Sequence, residues 1–136
     1  MKILIADSDD LQLQAYKDNV LKLFAPIHRA DPDNPISIQY CHTGGEIMSL
    51  MDNNSCKFDM TIIDRALSGT PGDVLIELYR PRLGKIIICS VFNNINNFYY
   101  LQKPVDFDKL SELIKEVMNV TDKCTDSEVQ EYEVIS

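Results

Sequence analysis

No run in the 136-residue sequence approaches the roughly 20 apolar residues that a membrane-spanning helix requires. A secretory leader pattern is missing as well, since "MKILIADSDD" turns acidic at once. Paired cysteines are absent too. Cys41, Cys56, Cys89 and Cys124 are scattered, with no C-x-x-C and no histidine at ligand spacing, so reduced thiols are expected rather than disulfides or zinc. Basic charge is in short supply: 13 Lys and Arg stand against 21 Asp and Glu, a net charge of −8. That balance excludes nucleic acid and anionic membrane as partners, because both select basic surfaces. No internal repeat is visible. The expectation is a cytoplasmic domain, single and long enough to bury a core.

Two hydrophobic periods alternate along the chain. "KILIA" (Lys2–Ala6), "ISIQYC" (Ile36–Cys41), "FDMTII" (Phe58–Ile63) and "KIIICS" (Lys85–Ser90) are short and β-branched, and all but the second are nearly continuous apolar runs. Such runs suit parallel strands covered on both faces. Between them lie helical stripes. Leu13, Tyr16, Val20 and Phe24 predict a helix from about Asp10 to Ala25, with Asp9 as its N-cap. Thr43 is the expected N-cap of a second helix carrying Ile47, Leu50 and Met51. Val74, Leu75, Leu78 and Tyr79 mark a third, ended by Pro81 and Gly84, and Leu110, Leu113, Ile114, Val117 and Met118 a last one. "APIHRADPDNP" (Ala25–Pro35) reads as a long loop and residues 121–136 as an acidic, solvated tail, which leaves 1–120 as the folded domain. The alternation predicts an α/β doubly wound sheet.

In such sheets ligands bind beyond the carboxyl ends of the strands. Asp7 and Ser8 follow the first run, Asp64 the third and Ser90 the fourth, and Lys103 with Pro104 falls near the end of a fifth, in "FYYLQKPVDF". This set resembles the receiver domain of two-component response regulators, over roughly Lys2 to Val120. The resemblance implies a five-stranded parallel sheet of order 2-1-3-4-5. It also implies an aspartyl phosphate on Asp64, with Ser90 and Lys103 binding the phosphoryl oxygens. Mg²⁺ would be held by Asp7, Ser8, Asp64 and the Ala66 carbonyl. Tyr100 falls at the switch aromatic, Gly72 at the glycine opening the third helix, and Lys103-Pro104 at a cis peptide. The implied partners are a histidine kinase or His phosphotransfer protein as donor and an unnamed downstream protein. The chemistry is coherent in itself: a carboxylate can accept a phosphoryl group only where cations offset the meeting of two anions.

The sequence also departs from that pattern. Ser8 stands where the family places a second acid, Arg65 brings a bulky cation beside Asp64, and Val91 puts bulk next to Ser90. Only residues 91–97 join the fourth run to the fifth. The return path is about 17 Å; seven residues span about 10 Å as a helix but about 23–25 Å when extended. The helix between strands 4 and 5 is therefore expected to be missing or reduced, opening an apolar sheet flank to a partner or to a second copy in a homodimer. The leading expectation is a stand-alone receiver in a phosphorelay. The alternatives are a pseudo-receiver that binds proteins without phosphorylation, and a small haloacid-dehalogenase-like phosphatase with Asp7 as nucleophile and Asp9 as general acid.

Overall fold

The structure, a computed structural model, describes residues 1–53, 57–91 and 99–123, with side chains as far as 118. Five parallel strands form one sheet: β1 (Lys2–Ala6), β2 (Ser37–Cys41), β3 (Met60–Asp64), β4 (Lys85–Ser90) and β5 (Tyr99–Gln102), in the order β2-β1-β3-β4-β5. The described helices are α1 (Asp10–Ala30), α2 (Gly44–Asn53), α3 (Gly72–Leu83) and α4 (Phe107–Lys123). The expected doubly wound architecture and its strand order are both present. The expectation of a missing helix between β4 and β5 falls on 92–98 and lies outside the described residues.

Alternation along the strands divides the core in two. Ile3 and Ile5, with Met60, Ile62, Ile87 and Cys89, pack beneath Leu13, Tyr16 and Phe24 of α1 and Leu110, Ile114 and Val117 of α4. Leu4, Ala6, Ile63, Ile86 and Ile88 face the other way, onto Ile47 and Met51 of α2 and Leu75, Ile76 and Leu83 of α3. Central strands covered on both faces must be apolar throughout, which is why β1, β3 and β4 read as unbroken runs. Thr61, a polar residue in the middle of β3, is buried and donates its hydroxyl to the Leu83 carbonyl at 2.7 Å. β2 alternates because it is an edge, half covered on one side.

Local chemistry sets the helix ends. Asp9 caps α1 through its carboxylate, which accepts from the Leu11 amide at 3.0 Å. Thr43 and Glu46 form a reciprocal capping box at α2, each side chain accepting from the other's amide at 3.1 Å. Two expected stops are overridden. α1 continues through Pro26 to Ala30, and α3 through Pro81 to Leu83. Leu23 and Phe24 are buried and Ile27 packs on the same core, so tertiary contact on both sides of Pro26 outweighs its missing amide. The break after α3 comes at Gly84, the second of its two expected stops. Its φ is +69° and an added Cβ would sit 2.4 Å from the Asp59 backbone, a conformation and a space open to glycine alone.

Candidate functional site

The strands end level because they pair in register: Ala6 with Ile63 and Cys41, Asp64 with Cys89, Ser90 with Gln102. Whatever follows each strand therefore meets on one rim. The order reverses between β1 and β3, and Asp7, just beyond β1, and Asp64, the last residue of β3, stand on either side of that switch point.

Asp7, Asp64 and Ser90 are all buried, which is costly for carboxylates unless they are paired. The pairing cation is Lys103. Its Nζ lies 3.0 Å from Asp7 Oδ2 and 3.3 Å from Asp64 Oδ2. The Lys103-Pro104 peptide is cis, and the Lys103 amide donates to the Ser90 carbonyl at 2.7 Å, extending the β4–β5 ladder to the rim. Each acid is also oriented by a main-chain amide: Asp9 N donates to Asp7 Oδ1 at 2.9 Å, and Ala66 N to Asp64 Oδ1 at 3.1 Å.

Burial pushes the Asp7 carboxyl above its ordinary value, against the opposing Asp9 amide and Lys103 ammonium. Burial pulls the Lys103 ammonium down, yet its contacts with Asp7 and Asp64 outweigh that and hold it above its ordinary value. Behind the acids, burial pushes the Cys89 thiol up to about 12, and the Tyr16 hydroxyl lies 3.4 Å from its sulfur. Such a thiol is a packing group rather than a nucleophile.

Asp64, Ala66, Ser90 and Lys103 line a cleft of ≈ 450 Å³ whose mouth is formed by Arg65, Pro71, Asp73 and Val91. Arg65 Nε pairs with Asp73 Oδ2 at 3.1 Å, and Val91 is 61% exposed. Gly72 packs against the backbone that carries Asp64, where an added Cβ would stand 2.6 Å from the Asp64 carbonyl oxygen. Tyr100 is half-buried against the α2/α3-side core, with its hydroxyl 3.5 Å from the Ser90 carbonyl. A larger groove at the opposite end of the strands, beside Met1, Ile27, Lys85 and Met118, lies away from this chemistry.

Ser8 is placed differently from the acids. Its Oγ donates to the His42 carbonyl at 2.6 Å and accepts from the Ser68 amide at 2.7 Å. Asp9 is exposed and its carboxylate is engaged as a helix cap. His42 and Asp73, which sequence reasoning left without roles, are both partnered at the rim. Asp10 pairs with His42 Nε2 at 2.8 Å, and no local motif signals either pairing.

Among the described residues no cluster of three or more His, Cys, Asp or Glu side chains is arranged to hold a metal. The remaining donors still suit a weakly held Mg²⁺. Asp7 and Asp64 are carboxylates, Ala66 lines the cleft beside Asp64, and the buried Asp7 Oδ2 faces the Lys103 ammonium at 3.0 Å, a cation that an Mg²⁺ ion would share the acids with. Mg²⁺ is commonly bound by one or two carboxylates while retaining several waters.

No protein-family model matches the chain, and no curated protein matches it in sequence. Solved structures do match its fold. It superposes on the response regulatory domain of protein mrkE from Klebsiella pneumoniae with a TM-score of 0.68 and 13% identity, covering 91% of this chain and 100% of that one. A signal receiver domain of an HD domain-containing protein from Pseudomonas fluorescens gives 0.63 and 18%, covering 90% and 98%. A chain from the co-crystal structure of the Saccharomyces cerevisiae histidine phosphotransfer signaling protein Ypd1 with the receiver domain of Ssk1 gives 0.64 and 18%, covering 93% and 94%. At these identities the likeness is one of fold: the chain has the receiver-domain fold. Among the described residues, no helix is long and apolar enough to cross a membrane.

Proposed function

We propose that this chain is a signalling receiver that takes a phosphoryl group onto Asp64 and acts by binding a partner. The observation that carries the reading is the Lys103 ammonium, set between Asp7 and Asp64 in a cleft that also presents Ser90. A buried carboxylate beside a lysine ammonium, open to solvent on one side, suits capture of an anionic electrophile.

In the transfer, an Asp64 carboxylate oxygen forms a bond to phosphorus as the bond from phosphorus to the donor nitrogen breaks. The electron pair of that bond leaves with the donor imidazole. Lys103 passes from the carboxylate to a phosphoryl oxygen, and the Ser90 hydroxyl donates to another. When bound, Mg²⁺ held by Asp7, Asp64 and the Ala66 carbonyl supplies charge neutralisation. Since a structural neighbour comes from a complex with a histidine phosphotransfer protein, such a protein or a histidine kinase is the proposed donor.

Incubation with acetyl phosphate and Mg²⁺ is expected to add one phosphoryl group to the wild type, read by intact mass, and none to Asp64→Asn. A wild type that gains no mass overturns the reading. A second reading, a protein-binding module that does not switch by phosphate, is favoured by one observation: Ser8 Oγ already holds two hydrogen bonds and adds no acid for the metal. No Mg²⁺ binding at millimolar metal would select it.

A further inference from the structure

The two hydrogen bonds of Ser8 reach two different loops. Its acceptor, His42 O, begins the β2–α2 loop, and its donor, Ser68 N, lies in the β3–α3 loop beyond Asp64 and Ala66. The same two loops meet directly as well. Gly44 N donates to Ser68 O at 2.8 Å, and Thr43 and Ser68 pair as an isolated parallel bridge. The N-terminal turn of α1 joins them from above, through Asp10 and His42 Nε2. Three βα loops are thus drawn into one block, with a single hydroxyl at the junction.

We infer that Ser8 is a positioning residue, a clasp that fixes the loop carrying Ala66 where a further metal acid would otherwise stand. The residue type follows from the donor count. One side chain must donate to a carbonyl and accept from an amide, and a hydroxyl does both. A carboxylate only accepts, so an aspartate at this position would set its charge against the His42 carbonyl oxygen. The exchange leaves the site one negative charge poorer and its rim more rigid. The consequence for Mg²⁺ rests on the phosphoacceptor reading of the site; the clasp itself does not.

The test is amide hydrogen exchange at Ser68, read by NMR beside a Mg²⁺ titration. Ser68 is exposed, so its protection should come from this hydrogen bond rather than from burial. Ser8→Ala is expected to speed Ser68 exchange about tenfold, the loss of one hydrogen bond, and to weaken Mg²⁺ binding less than Asp7→Asn does, because it loosens the loop of one donor and removes no ligand. Ser8→Thr keeps the hydroxyl and should restore protection. Should Ser8→Ala fail to fold, Ser8→Cys, close in size but a weak donor, reports the same difference against Ser8→Thr. Ser8→Asp is expected to bind Mg²⁺ about tenfold more tightly, as an added ligand charge does. Equal Ser68 exchange in wild type and in both Ser8→Ala and Ser8→Cys would overturn the clasp. So would a Ser8→Ala protein that loses Mg²⁺ affinity as far as Asp7→Asn does while Ser68 stays protected. Failure of the wild type to take a phosphoryl group counts against the phosphoacceptor reading, whereas Ser8-dependent protection still supports the clasp.

Discussion

The two sides of the rim are built on opposite plans. On the β2–β1–β3 side, loops are joined to one another by main-chain and hydroxyl hydrogen bonds through Ser8, Gly44 and Ser68. The β4–β5 side reaches the acids through the Lys103 ammonium, at the end of a long side chain. Hydrogen bonds between short, fixed groups hold a geometry, while an ion pair on a lysine can exchange one anion for another. The difference teaches where a charge added at Asp64 can be felt. It would meet a fixed wall on one side and a cation able to follow it on the other, so displacement is expected towards Ser90 and Tyr100.

Removing that cation should give the largest effect. Lys103→Met leaves two buried carboxylates without their counter-charge, a loss expected to cost about 3 kcal/mol near neutral pH. The deficit should shrink on acidification, because the Asp7 carboxyl already sits above its ordinary value and its protonation relieves the repulsion. In the wild type the Lys103 contribution has the opposite range. Its ammonium is held above the ordinary value, so its stabilisation is complete below 10.5 and fades only as pH rises beyond that. Urea unfolding of both proteins across pH measures this, and an equal deficit at about pH 4 and pH 7 would refute the pairing as its cause.

The tied side should break by sterics rather than charge. Gly72→Ala drives a Cβ to 2.6 Å from the Asp64 carbonyl oxygen and 3.2 Å from Arg65 Cα. Both neighbours are backbone in the loop that sets the acid's position. A loss of about 2 kcal/mol is expected, insensitive to pH between about 5 and 8, since no titrating group is removed. Thermal unfolding at two pH values within that range distinguishes it from Lys103→Met.

These contrasts also explain what the sequence made legible. Asp64, Ser90 and Lys103 each close or follow an apolar run, and in-register parallel pairing brings such positions together, so the rim could be read residue by residue. Asp9 was legible as a cap because capping is a local rule. Ser8 was not legible. Its partners are the carbonyl of His42 and the amide of Ser68, main-chain groups that every non-proline residue carries, so no residue type at 42 or 68 advertises them. The end of α1 was misplaced, and Pro81 was read as part of the stop of α3, for a related reason. Pro26 and Pro81 are local stop signals, and the burial of Leu23, Phe24 and Leu83 that overrides them is set by distant parts of the chain.

Asp7→Asn should sharpen the comparison in the other direction, by stabilising. The folded Asp7 carboxyl is raised, so its neutral form is favoured in the fold and its ionised form costs stability as pH rises through that value. An amide removes this cost, can still accept from the Asp9 amide, and leaves Lys103 paired with Asp64. A gain of roughly 1 kcal/mol near neutral pH is expected, vanishing below the ordinary Asp value of 3.8. Loss of stability at neutral pH would show instead that the Asp7–Lys103 pair outweighs the burial of its charge.

The smallest effect should come from the mouth of the cleft, where Arg65 and Asp73 pair across water-exposed surface. Solvent screening makes such pairs weak, so Arg65→Gln should cost no more than about 0.5 kcal/mol and lose even that in high salt. Because Arg65 stands beside Asp64 in the same cleft, phosphoryl uptake from acetyl phosphate provides a second measurement. A variant with wild-type stability and wild-type uptake places the working cation at Lys103 alone. Slowed uptake at unchanged stability would add Arg65 to the groups that hold the phosphoryl oxygens. The β3–α3 side would then be more than a fixed wall, contributing a mobile charge of its own.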